Sequence, residues 1–158
     1  MKKKAKKDNN TELIATAISS LCIPCLRKYE EEITGIYLSP YTVGGKQKIE
    51  VVITHRSSEE LDIIKKTTRI NELQVYALTQ NLDKYQKEPR NEEEYKLSKD
   101  LKNGIIIYDP KRMLKNRKAS ISQNEEITSF YNTIELPDSL RVATKTKVYS
   151  YNKTNKKN

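Results

Sequence analysis

Four short runs rich in β-branched and aromatic residues, at 35–38, 48–54, 73–79 and 105–108, punctuate the chain, and the longer stretches between them carry apolar residues at helical spacing. Strand runs separated by helical runs argue against both an all-helical bundle and an all-β sandwich. They predict an α+β fold, a small mixed β-sheet flanked by helices. With 158 residues there is room for one such domain.

The local signals divide the chain further. Asn10 or Thr11 is placed to cap a helix carrying Leu13, Ile14, Ala17, Ile18, Leu21 and Leu26, which Pro24 should kink or restart. The first two strand runs read as a hairpin-like pair joined by a turn over residues 40–45. Ser57 with Glu60 three residues on is a capping box, predicting a helix to about Arg69 lined by Leu61, Ile64 and Ile70. Residues 81–91 read as a loop or short helix. The segment 92–102 reads as a helix ended by Asn103 and Gly104, and the strand at 105–108 is stopped by Asp109 and Pro110. A basic helix follows, then a helix over 124–133. The last segment, 141–151, sets Val142, Thr144, Thr146 and Val148 against Ala143, Lys145, Lys147, Tyr149 and Tyr151, the pattern of an edge strand with a Lys and Tyr outer face.

The formal charge of +9 is concentrated at the two ends. Lys2, Lys3, Lys4, Lys6 and Lys7 open the chain and Lys153, Lys156 and Lys157 close it. Setting those eight aside leaves 22 basic against 21 acidic residues. Residues 1–9 and 152–158 therefore read as basic flexible tails, which can solubilise the chain or add a salt-sensitive attraction to phosphate. Inside the body one cluster stands out: Lys111, Arg112, Lys115, Arg117 and Lys118. On a helix Lys111, Lys115 and Lys118 share a face while Met113 and Leu114 turn inward. That face suits phosphate, or is simply a solvated helix end; Lys145 and Lys147 would add to a nucleic-acid surface. No apolar stretch is long enough to span a bilayer, and the basic start is not followed by an export-type apolar run, so no membrane association and a cytoplasmic location are expected.

The string Ile33-Thr34-Gly35-Ile36-Tyr37-Leu38-Ser39-Pro40-Tyr41-Thr42-Val43-Gly44-Gly45 resembles the opening of small nucleotidyltransferases of the DNA polymerase beta type, where a helix leads into an apolar strand, a Gly-Ser turn with a trailing Gly, and a second strand bearing two Asp residues one residue apart. Leu101-Lys102-Asn103-Gly104-Ile105-Ile106-Ile107-Tyr108-Asp109 is similar to the Gly-Ile-x-Leu-Tyr-Asp ending of such minimal domains. The resemblance implies a nucleotidyltransferase-like domain over residues 10–118, followed by a helix and edge-strand extension over 119–151. The catalytic letters depart from the family. Pro40 and Tyr41 stand where Gly-Ser is expected, and only Gly45 fits the final turn Gly. The paired Asp positions fall on Lys48 and Glu50, and the third carboxylate position falls near Gln74.

Each departure has a physical cost. Carboxylates two apart on a strand face one side and can hold paired Mg ions; an ammonium at one of those places opposes a divalent cation by about several kcal/mol. Gln74 removes another negative ligand, and Pro40 has no amide to offer a phosphate. A domain that has lost catalysis is therefore expected, with no cofactor. Lys48 and Glu50 would form a charge pair where metal once sat, or be two solvent-facing charges.

Cys22-Ile23-Pro24-Cys25 has a redox-like spacing, but its helical context favours buried structural thiols, and two cysteines with His55 cannot complete a zinc site within one chain. His55 reads as a surface residue at a strand end. Three functions remain open: a non-catalytic binding or regulatory module that contacts nucleic acid; an active Mg-dependent nucleotidyltransferase using Glu50 with Asp62, Asp83 or Asp109; and an antitoxin-like partner of a second protein.

Overall fold

The computed structural model describes residues 2–121 and 132–156 of the chain, with side chains over 10–121 and 133–150. The order is α1 (Lys2–Tyr29), β1 (Ile33–Val43), β2 (Lys46–His55), β3 (Thr68–Ile70), β4 (Leu73–Asn81), α2 (Glu92–Asn103), β5 (Ile105–Tyr108), α3 (Met113–Ser120), β6 (Asn132–Thr133) and α4 (Asp138–Lys156). The strands form one mixed sheet in the order β3-β4-β2-β1-β5, with β6 pairing the far part of β1. Strand β2 runs parallel to β4, and the other pairs are antiparallel. The α+β class predicted from patterning is the one observed.

Helix α1 buries Ala15, Ile18, Cys22 and Cys25 along one stripe, the i, i+3, i+7, i+10 spacing that its sequence advertises. It begins at Lys2 rather than at a cap near Asn10 or Thr11; Lys and Ala are good helix formers, and the opening segment has no Pro or Gly to stop it. The helix also continues through Pro24. Pro24 and Ser20 are both exposed, so water can take the Ser20 carbonyl that the missing N–H leaves free.

The hairpin turn is tighter than predicted. Only Gly44 (φ +56°) and Gly45 (φ +75°) form it, the two left-handed positions of a two-residue turn matched to strand twist. Pro40 and Tyr41 therefore lie within β1 and belong to no phosphate-cradling turn. Pro40 is tolerated there because its carbonyl accepts from Ile134 N–H at 3.1 Å, which aims its missing donor to the same side, at the step where β5 stops pairing and β6 begins.

The predicted helix after Ser57 is absent. Residues 56–67 cross from β2 to β3 without regular structure, because Ser57 Oγ accepts from the amide of Glu59 at 3.2 Å instead of capping a helix. Of the apolar residues there, Leu61 is buried while Ile64 is 44% exposed, too little for an inward stripe.

The segment read as an edge strand is helix α4. Its alternation was ambiguous, since Leu140, Thr144 and Val148, all buried, recur every four residues as well as every two. The hydroxyls of Thr144 and Thr146 donate to the carbonyls four residues back, so these β-branched residues satisfy themselves within the helix. The basic tail is likewise helical as far as Lys156. The helix predicted over 124–133 lies outside the described residues except for its end, where Asn132–Thr133 is β6.

Each face of the sheet has its own core. On the first, Ile36, Leu38, Ile49, Val51, Ile53, Val75 and Ile107 pack under α1 and α4. On the second, Tyr37 and Val52 pack against Leu97 and Leu101 of α2, Leu114 of α3 and Tyr85. This second core covers one end of its face. Toward the hairpin the same face becomes polar.

Candidate functional site on the second face of the sheet

Register defines the polar end. In β2 and β4 Lys48 pairs Gln74 and Glu50 pairs Tyr76; in β1 Tyr41 pairs Lys48 and Ser39 pairs Glu50. Directly paired residues share a face, so Ser39, Tyr41, Lys48, Glu50, Gln74 and Tyr76 stand together on the second face. Helix α2 overhangs part of this group. It is fixed by Asn91, whose side chain accepts from Glu94 N–H, and by Leu97 and Leu101 in the core. Lys96, Lys99, Asp100 and Asn103 then turn toward the polar end, and with Ser39, Pro40, Tyr41, Glu50 and Thr133 they line a pocket of about 50 Å³. The strand after α2 is held close because Tyr37 lies over Gly104, where a Cβ would stand 2.6 Å from Tyr37 Cδ2.

Beside the pocket the phenol of Tyr76 donates to Glu50 Oε2 at 2.9 Å, and Tyr41 Oη hydrogen-bonds Tyr76 Oη. Since Tyr76 has given its proton to Glu50, Tyr41 is the donor to Tyr76. Burial pushes the Glu50 carboxyl above the usual range, opposed by the Tyr76 bond and by the charges of Lys96 and Lys48. Burial, helped by the charge of Glu50 and opposed by Lys96, pushes Asp100 up to about 7. The same desolvation raises Tyr76. A second tyrosine pair, Tyr37 and Tyr85, bonds hydroxyl to hydroxyl at 2.7 Å deeper in the core.

The positions inferred from the nucleotidyltransferase resemblance thus converge only in part. Lys48, Glu50 and Gln74 share one face, as do Tyr41 and Glu50. Lys48 and Glu50, read as a charge pair or as two solvent-facing charges, form no ion pair, and both are partly buried; Glu50 takes its hydrogen bond from Tyr76, and Lys48 acts on it through its charge. Gly45 serves the hairpin, and Pro40 packs in β1 at the pocket wall.

The carboxylates proposed to join Glu50 in a displaced metal site are engaged elsewhere. Asp62 pairs with Lys28 at 3.4 Å, and Asp83 with Arg56 at 3.4 Å and Arg117 at 4.0 Å. Asp109 accepts from the amides of Leu114 and Lys115, starting α3. Among the described residues no three His, Cys, Asp or Glu side chains are gathered to hold a metal.

The basic cluster at 111–118 divides. Arg117 donates to Tyr85 O at 2.7 Å and Lys118 to Gly104 O at 2.7 Å, so both brace α3 against the body. Lys111, Arg112 and Lys115 remain exposed. On α4, Lys147 pairs with Glu12 at 3.1 Å while Lys145 is exposed; as helix residues they do not form the predicted strand face.

His55 is buried rather than a surface residue; burial lowers its pKa, and its Nδ1 accepts from the amide of Ser57. Cys22 and Cys25 are buried free thiols, both pushed up by burial, Cys25 to about 11, which fits structural packing and opposes redox exchange.

Asp100, Lys96 and Tyr76 escaped the sequence reading. Their signal was faint but physical: Tyr76 lies two residues past Gln74 on one strand face, and residues 96, 99, 100 and 103 form the stripe beside the apolar stripe of Leu97 and Leu101.

Compared with known proteins, the chain matches no family model, and no curated protein or solved structure is significantly similar to it.

Proposed function

We propose that the protein is a non-catalytic binding module on a nucleotidyltransferase-like fold, and that it holds nucleic acid by a basic end built from Lys111, Arg112 and Lys115 together with the end of α4. The observation that carries the binding half is a single hydrogen bond. The hydroxyl of Tyr149 accepts from the amide of Asp109 at 2.9 Å, with the rings of Tyr108 and Tyr149 5.4 Å apart, so α4 passes beside the start of the basic segment. It then runs on to Lys156 through sequence that places lysine at 153 and 156. The start of the basic segment and helix α4 are thereby set side by side. Positive charge grouped in this way favours phosphate through release of counterions.

The non-catalytic half is supported by the polar face of the sheet. Lys48 stands opposite Gln74, and Glu50 is held by a phenol, so the strand positions that would present paired carboxylates to Mg ions present an ammonium, an amide and one hydrogen-bonded carboxylate.

The test is fluorescence anisotropy of the full chain with a short labelled DNA duplex over about 50 to 200 mM salt. Affinity is expected to fall steeply with salt. Replacing Lys111, Arg112 and Lys115 with Ala should weaken binding uniformly across sequences and flatten the salt slope by about one for each phosphate no longer neutralised. Unchanged affinity and slope in that variant would overturn the assignment of this end.

A further inference from the structure

We propose that the hairpin end of the second sheet face is a platform for single-stranded nucleic acid, on which the rings of Tyr41 and Tyr76 stack bases while Lys46, Lys48 and Arg69 take phosphates. This surface is separate from the basic end assigned above. It is centred on Tyr41 of β1, whereas β5, which leads into the basic segment, ends opposite Ile36 of the same strand.

Strand register assembles the charge. Tyr41 pairs Lys48, Lys48 pairs Gln74 and Gln74 pairs Arg69, so one row of side chains crosses β1, β2, β4 and β3 on the same face. Three strand spacings make this row about 14 Å wide. Lys46, two residues before Lys48, joins it on that face. Lys46 and Arg69 are exposed, and Tyr41, Lys48 and Gln74 are half-buried, so water reaches the row. The row itself holds no carboxylate. Glu50, one row deeper, already accepts from Tyr76. The surface therefore offers three cations and an amide to an anionic partner.

Hydrogen bonding fixes the rings. Tyr41 stands on β1 and Tyr76 on β4, with β2 between them, yet their hydroxyls are bonded to each other. The two rings therefore lean together over β2, and the bond from Tyr76 to Glu50 anchors the pair to the strand beneath. Rings held in one orientation before a ligand arrives lower the cost of ordering them on binding. An aromatic face accepts any base, and cations beside it follow the backbone, the combination that holds single strands with little sequence preference. A duplex keeps its bases stacked inside, whereas a single strand can splay them onto a sheet. Stacking rings beside grouped cations thus select a single strand over other polyanions.

Fluorescence anisotropy of the full chain at low salt, with a labelled oligothymidylate of about ten nucleotides and with an abasic strand of the same length and charge, separates stacking from charge. The oligothymidylate should bind at least about tenfold more tightly, and Tyr41→Leu should remove most of that difference. Replacing Lys46, Lys48 and Arg69 with Ala should weaken both strands and flatten the salt slope. Equal affinity for the two strands would overturn the platform. Loss of single-strand binding on replacing Lys111, Arg112 and Lys115, with none on replacing Lys46, Lys48 and Arg69, would place the strand at the basic end and also overturn it. Should Tyr41→Leu fail to fold, ring proton resonances of Tyr41 and Tyr76 in the wild type decide: shifts on adding oligothymidylate but not the abasic strand support stacking, and unmoved signals overturn it.

Discussion

Tyr76 donates its phenolic proton to Glu50 Oε2 across 2.9 Å, joining β4 to β2 two residues along each strand from the place where Lys48 faces Gln74. The bond converts a buried carboxylate from a metal-seeking group into one satisfied by the protein itself, and it gives the polar face a defined response to mutation.

Removing it with Tyr76→Phe should destabilise the fold by about 1–3 kcal/mol at neutral pH, since a mostly buried Glu50 then loses its donor. The bond holds the Glu50 carboxyl down against burial, so its loss raises that carboxyl further. The penalty should therefore shrink as pH falls and Glu50 takes up a proton. Urea unfolding at pH 7 and pH 5 checks this, and equal losses at both values would count against it.

Asp100 gives a pH dependence of stability with a clear sign. Its pKa in the folded chain, about 7, lies above the ordinary 3.8. The folded state binds the proton more tightly, so this contribution is fully present below about pH 4 and is lost as pH rises through about 7, amounting to about 2–4 kcal/mol over the whole window. The difference in unfolding free energy between wild type and Asp100→Asn, followed from pH 4 to pH 8, should move against the wild type with rising pH. Parallel curves would contradict it.

Asp109 tests the distinction between a structural and a metal-binding carboxylate. Its two oxygens accept from the amides of Leu114 and Lys115 at 3.0 and 2.9 Å, so Asp109→Ala should cost about 1–2 kcal/mol in chemical denaturation through loss of the α3 start. The destabilisation should be the same with and without Mg ions, whereas dependence on Mg would revive a displaced metal site.

Cys22 and Cys25 should react slowly with a thiol reagent at pH 8 in the native chain and promptly after unfolding, because burial holds both as neutral thiols. Rapid native labelling, followed by absorbance, would contradict their structural reading.

Much of the fold was legible because local chemistry and tertiary packing agree. Asn91 and Gly104 bracket α2 as their residue types suggest, and the apolar run at 105–108 is β5 residue for residue. Where legibility failed, a local signal was outbid. Ser57 made a tight turn in place of a helix cap, and α4 satisfied its threonines internally while burying Leu140, Thr144 and Val148 against α1 and β5. The candidate site was legible in part, at Pro40 and Tyr41 of β1, Lys48 and Glu50 of β2 and Gln74 of β4. Lys48 and Glu50 are two residues apart in sequence, but Tyr76 and Asp100 reach them through strand register and helix docking, relationships that no spacing in the chain records. The basic helix illustrates the converse: five charges within eight residues suggested one face, yet Arg117 and Lys118 are spent on the carbonyls of Tyr85 and Gly104.

Whether the chain holds nucleic acid without retaining nucleotide chemistry is decided by thermal melting of the full chain at low salt, alone and with Mg-ATP, Mg-GTP or a short DNA duplex, because a ligand that prefers the native state must raise the melting temperature. A non-catalytic nucleic-acid-binding module should show a rise with the duplex that disappears as salt is added, and none with either Mg-nucleotide. A rise with Mg-nucleotide, or none with the duplex at low salt, would contradict that assignment.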